Sequence, residues 1–303
     1  RAHDFVPQIN KPYIISKKDF YFGFYLILSG LFKKLIISDY LTLNYVNYIF
    51  DDPSRYSGIE NLLAVYGYAI VIYCDFSGYS DIALGIARWL GFTIPTNFLS
   101  PYQSKNITEF WRRWHISLSS WLKDYLYIPL GGNRNKSIFS FIVTLISFVG
   151  IAYGCMHFLH LSKMISISLS LLFITILILP ALVLHKKENI GTPFNLLATM
   201  LLGGLWHGAS LNFIIWGGLH GFYLSIHKLW IGISKGIKIH RIIKYILNII
   251  SIAFTFHAIC IGWIFFKNSD FDHAKNMINQ IASDFDFSIR SEEHTSELQS
   301  HSD

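Results

Sequence analysis

Long apolar runs separated by short basic ones recur along the chain, and that rhythm predicts helices that cross or enter a membrane. Charge-free runs cover Ser137–Ser162, Met164–Leu184, Asn189–His227 and Tyr245–Phe266. Each meets the requirement of about 20 apolar residues for a transmembrane helix. Two more apolar segments, Phe20–Leu41 and Ile59–Leu90, carry internal charges: Lys33 and Lys34 in the first, Asp75 and Asp81 in the second. Ser137–Ser162 and Met164–Leu184 read as a transmembrane hairpin whose ends both lie beside basic residues. Between Ser100 and Gly132 the chain is too rich in Trp, Tyr and Arg to span simply. Within it, Trp111, Trp114, His115, Leu118, Trp121, Leu122 and Tyr125 recur every three or four residues. That spacing predicts a helical apolar stripe at the membrane interface.

The run Asn189–His227 sets a topological problem. Crossing once would leave the five basic residues of Lys228–Lys244 outside, against the charge bias of cytoplasmic loops. Crossing twice asks 39 residues to make two spans of about 20. A broken or re-entrant helix resolves the conflict, provided protein or a water-filled cavity surrounds the break. Gly203, Gly204 and Gly208 flank His207, so the break is expected there. In one unbroken helix His207 and His220 would lie about 20 Å and roughly 220° apart. They share a site only if the helix breaks.

Composition makes the class firm. Of 303 residues, 52% are hydrophobic and 15% charged, against about 25% charged in soluble domains, and the mean hydropathy is +0.39. The expectation is an all-α, polytopic integral membrane protein. The net charge of +6 does not imply nucleic acid, because the basic residues sit between apolar spans. Cys74, Cys155 and Cys260 all lie in apolar runs, which implies neither a disulfide framework nor a metal cluster. The opening "RAHDFVPQINKPY" has no initiator Met and no signal peptide, as expected of an internal fragment lacking its N-terminal part. From Ser288 the polar run "SIRSEEHTSELQSHSD" has no hydrophobic period. It is expected to be a non-native tail, leaving residues 1–287 as a partial membrane domain.

Several constellations offer chemistry. Asp75 and Asp81 are ionisable groups in an apolar segment, which calls for a partner or a function. Gly78, Asp81, Gly85 and Arg88 share one helical stripe, expected to combine close packing with an Asp–Arg interaction. Arg112, Arg113, Lys123 and Arg134 offer a surface for an anionic donor such as a coenzyme's phosphates. His115 is either a packed core histidine or a catalyst. A buried neutral His207 or His220 can act as a base near neutral pH or simply pack. The chain has no G-x-S-x-G, H-E-x-x-H, C-x-x-C, P-loop or G-x-G-x-x-G. Serine-nucleophile, metallohydrolase and nucleotide-fold chemistries therefore lose ground.

"CDFSGYSDIALGIARWLGF", "NFLSPYQSKNITEFWRRWHISLSSWLKDYLYIPLGGNR" and "LLGGLWHGASLNFIIWGGLHG" resemble the membrane-bound O-acyltransferases. The nearest branch is that of alginate O-acetyltransferases and D-alanyl-lipoteichoic-acid transfer proteins. The resemblance extends to "LSGLFKKLIISDYL" and "GWIFFKNSDFDHAKNMI". It implies a helical bundle with broken helices around a central tunnel, in a bacterial inner membrane. It implies that His207, in "LWHG", is catalytic and that His115, in "RWHIS", is the second histidine, nearer the cytoplasmic donor. No tightly bound cofactor is implied; acetyl-coenzyme A or another acyl thioester would be the donor substrate. The implied partners are the bilayer, an extracytoplasmic acetyltransferase, and an exopolysaccharide or cell-wall polymer as acceptor. Residues 137–187 depart from the branch as an extra apolar hairpin. The open alternatives are D-alanyl transfer to teichoic acid, a non-catalytic scaffold, and a transporter of lipid-linked sugars.

Overall fold

A computed structural model describes residues 2–10, 13–133, 138–139, 142, 145–146, 149–150, 168, 191–234, 236, 240–268 and 270–283. All regular elements among them are helical. Most of the hairpin expected at 137–187, the tail 288–303 and Arg134 lie outside the described residues. The chain divides into two compact units, Arg1–Asn97 with Trp263–Asp303, and Phe98–Gly262.

The first unit is built on two long helices. After α1 (Ala2–Ile9), α2 runs from Lys17 to Asp51 over 35 residues and α3 from Gly58 to Trp89 over 32. Each starts on a side-chain cap. Ser16 accepts from the Asp19 amide, and Ser57 and Glu60 close a reciprocal capping box, satisfying amide groups that a helix start leaves open. The two helices pack antiparallel through glycines. A Cβ at Gly30 would meet the Gly78 carbonyl, and one at Gly85 would meet that of Gly23. The Gly78–Gly85 stripe therefore packs as the sequence suggests.

The charges on that stripe pair differently from expectation. Asp81 binds Lys33 at 2.6 Å, while Arg88 reaches Asp19 at 3.4 Å. Lys34 joins Asp75 at 2.6 Å and Asp39 at 2.9 Å. The Asp81–Arg88 pair fails because the neighbouring helix presents both partners. The two lysines that interrupt one apolar run answer the two carboxylates that interrupt the other. They lie on a π-helical stretch, Phe32–Ser38, within α2. The outer face of α2 carries exposed Tyr21, Tyr25, Leu28 and Leu35, as suits a lipid-facing helix. Within the same unit, the amphipathic α9 (Phe271–Ser283) buries Ala274 and Met277 completely.

In the second unit the interfacial stripe is not one helix. α4 (Ile107–Arg113) stops, and α5 (Ile116–Leu122) starts anew after His115, whose φ of 42° and ψ of 57° are left-handed. The three-and-four spacing continues across a break that the pattern alone does not show. Trp111 and Trp114 turn inward, while Trp121 and Tyr125 are exposed. The turn Gly131–Gly132 has φ of 111° and 55°, which glycine adopts without steric cost. Its Gly132 carbonyl accepts from the buried Asn195 at 3.0 Å, tying it to the helix Gly191–His207.

α6 (Gly191–His207) and α7 (Leu211–Ile233) form a tight antiparallel hairpin. The chain does break beside His207, but the glycines divide the work differently from expectation. Gly203 and Gly204 lie inside α6, and only Gly208 falls in the turn. Gly204 packs on the Phe213 carbonyl, Gly217 on that of Met200, and Gly221 on the Leu197 backbone. These contacts bring two backbones closer than any side chain would allow. A hairpin returns the chain to its starting side. α8 (Arg241–Lys267) is, with α2 and α3, one of three described helices long and apolar enough to cross a membrane.

Candidate active site

The hairpin tip sets His207 at the last position of α6, immediately before the turn residues Gly208–Ala209–Ser210. Ser210 caps α7 by accepting from the Asn212 amide at 3.3 Å. From there α7 presents Phe213, Trp216, His220 and Tyr223 at spacings of three and four, one face of a helix. The His207 ring lies 5.9 Å from Phe213 and 5.2 Å from Trp216, edge-on to the latter. Trp216 in turn lies 4.8 Å from His220. The two histidines are thus separated by a single indole, rather than by the 20 Å of an unbroken helix.

His220 is completely buried. Phe110 and Trp111 of α4 lie 6.3 and 5.2 Å from its ring, and Tyr223 lies 6.2 Å away. The same rings lead on to His115. Phe110 stacks on Trp114 at 5.5 Å, and Trp114 also contacts Phe98 and Tyr102. Trp114 directly precedes the left-handed His115, so packed rings hold the backbone at the break. A non-glycine residue in that region costs of order 1 kcal/mol, and such strain clusters at functional sites.

His115 and His207 are brought near each other. Burial pushes the His115 pKa down to about 4, and the charge on His207 acts in the same direction. His115 is accordingly neutral across the physiological range. Its Nδ1 lies 3.3 Å from the Ser117 hydroxyl, the donor being set by the ring tautomer.

The basic residues separate into different roles. Arg113 donates to Glu109 at 2.6 Å and to the Leu99 carbonyl at 3.2 Å, while its own carbonyl accepts from the Leu99 amide at 3.0 Å. Glu109 also accepts from the Lys105 amide. Burial alone would raise its pKa, but that amide and the Arg113 guanidinium outweigh it and hold the carboxyl below its usual range. Arg113 therefore braces the loop before α4. Arg112 and Lys123 are exposed. Arg112 lies close enough to bear electrostatically on His227, which hydrogen-bonds Thr108 at 2.8 Å.

The profile of the membrane-bound O-acyltransferase family matches residues 2–176 and 184–266. The chain belongs to that family. It is 35% identical over 262 residues to a probable alginate O-acetylase of Pseudomonas syringae pv. tomato, covering 86% of this chain and 39% of the relative. It is 34% identical over 256 residues to a peptidoglycan O-acetyltransferase of Helicobacter pylori, covering 84% and 38%. A teichoic acid D-alanyltransferase of Bacillus subtilis is 27% identical over 253 residues, covering 84% and 52%. The chain thus spans about two fifths of the length of the two O-acetylating relatives. As a member of this family it is a membrane protein, in agreement with its long apolar helices.

Sequence reasoning singled out His207 and His115 but missed Trp216, Phe110 and Asn195. The Phe213–Trp216–His220–Tyr223 spacing was the available signal, since it places four rings on one face of α7. Which face they share with His207 depended on the turn at 208–210.

Proposed function

We propose that the chain carries the catalytic part of an O-acyltransferase that moves an acetyl group from a thioester to a hydroxyl of an exported or cell-wall polysaccharide. The observation that carries this reading is the placement of His207 at a helix break, packed by rings and within electrostatic reach of His115. His207 takes the proton from the acceptor hydroxyl as that oxygen attacks the thioester carbonyl. The tetrahedral intermediate collapses, the C–S bond breaks, and the same proton passes from His207 to the departing sulfur. One ester and one thiol are formed. His115, neutral and adjacent, lies on the donor side, and Arg112, Lys123 and Arg134 offer charge to the donor's phosphates.

Acetyl-coenzyme A is the proposed donor. Acetyl is preferred to D-alanyl because relatives named for O-acetylation match at 34–35% identity and the D-alanyltransferase at 27%. D-alanyl transfer remains the alternative substrate reading. Basic loops beside the spans support a bacterial inner-membrane location with these loops in the cytoplasm. The acceptor would then be met on the far side, where an extracytoplasmic acetyltransferase can take part.

The test is His207→Gln in membranes carrying the full chain. General base catalysis contributes about 10²–10⁴-fold, so acetyl transfer per inserted protein should fall by that factor while insertion stays normal. Near wild-type transfer would refute the catalytic assignment and favour a scaffold.

A further inference from the structure

The ring stack behind His207 has a mechanical order. Trp216 is 3% exposed and stands between the two imidazoles, 5.2 Å from His207 and 4.8 Å from His220. Behind it, His220 is fixed on one side by Phe110 and Trp111 of α4. On another side lies Gly262 of α8, where a Cβ would come within 3.0 Å of His220 Nε2 and 3.4 Å of Trp216 Cδ1. Three helices thus converge on one indole–imidazole pair, and the ring of His207 packs against its indole.

We propose that Trp216 is a positioning residue for His207, that His220 is its buttress, and that Gly262 is the small residue whose absent side chain lets both rings seat. An imidazole at the end of a helix, beside a three-residue turn, has freedom about χ1 and χ2 that the turn does not remove. A ring edge packed against it from α7 removes that freedom. Catalytic geometry is sensitive at this scale, since a displacement of about 1 Å can cost up to about 10²-fold in rate, and reactive side chains are held by the packing behind them. His220 acts here as a rigid ring and carries no proton in the reaction. The proposal rests on the catalytic reading of His207 only for its consequence on rate, because the geometry itself can be read separately.

Two measurements on the full chain in membranes separate these levels. The first is the rate at which diethylpyrocarbonate modifies His207, followed by peptide mass spectrometry, with the exposed His257 as internal control. Trp216→Leu should raise the His207 rate about tenfold and Gly262→Ala about threefold, while Trp216→Phe, which keeps a ring, stays near wild type. His257 should not change in any of them. An unchanged His207 rate in Trp216→Leu overturns the proposal, as does a parallel rise at His257, which would mean general loosening.

The second is acetyl transfer from acetyl-coenzyme A. Trp216→Leu and Gly262→Ala should lower kcat by about the factors that raise the modification rate, with donor KM unchanged, as when only transition-state interactions are lost. Trp216→Phe should restore most of kcat. A KM rise with kcat intact overturns the rate consequence. If the modification rates behave as expected but His207→Gln keeps full transfer, positioning stands and the catalytic reading alone falls.

Discussion

The two units handle polar groups in apolar surroundings in opposite ways. In the first, lysines and carboxylates near the middle of α2 and α3 meet at 2.6 Å, each charge answered across the helix pair. In the second, the imidazoles of His207 and His220 are packed by indole and phenyl rings of two helices, α4 and α7. Ion pairing consumes both partners: the lysine and carboxylate satisfy each other and hold the helices in register. Ring packing fixes a side chain's direction without claiming its proton. The first solution suits a frame, and the second a reactive group that must keep its lone pair within reach of a substrate.

Breaking the ion pairs should therefore cost folding, where breaking the ring stack costs rate. Lys33→Leu leaves Asp81 without the lysine it binds in an apolar setting. Removing one partner of a fully buried pair costs about 3–5 kcal/mol, and the partial exposure of this pair, 26% and 20%, puts its cost below that. Most of the folded, inserted protein should be lost, and Lys33→Leu combined with Asp81→Leu should recover it. Equal yields for the single and double variants, by size-exclusion in detergent, would remove the frame role.

A smaller effect separates the two neighbouring arginines. Arg112→Gln should raise the apparent KM for acetyl-coenzyme A by about tenfold, the loss of one charge-assisted contact worth about 1.4 kcal/mol, and leave kcat nearly intact. Arg113→Gln should instead lower the yield of folded protein with little change in KM, because its contacts are to Glu109 and Leu99. The reverse assignment of KM and yield would place the donor at Arg113.

A separate effect is a pH dependence of stability. His115 has a pKa of about 4 in the folded protein against an ordinary 6.5. Between those values the folded state binds fewer protons than the unfolded one, so stability rises with pH in this window. The contribution is fully present above about pH 6.5 and declines as the pH falls to about 4. His115→Gln should flatten that part of the melting-temperature profile. An unchanged slope would mean that His115 is not buried as described.

Periodicity and charge revealed the long helices, the break beside His207 and the glycine stripe of α3, because each is a local pattern. Residues 48 positions apart, such as Lys33 and Asp81, meet only through the register of two helices, which no local pattern carries. The single helix expected over 111–125 failed at His115 because one left-handed residue redirects the chain while leaving the apolar spacing intact. His220 appeared remote from His207 because distance along a helix is not distance across a hairpin.

The glycine seam of the α6–α7 hairpin also bears on how the protein is made. α7 carries Asn212, His220 and His227 and is not among the described helices long and apolar enough to cross a membrane alone. Insertion of α7 is therefore helped by its pairing with α6 along the seam. Their contacts are close in sequence, so the seam can zip as soon as α7 emerges. The residue that gains most from this pairing is His207, which the closed hairpin seats against Phe213 and Trp216.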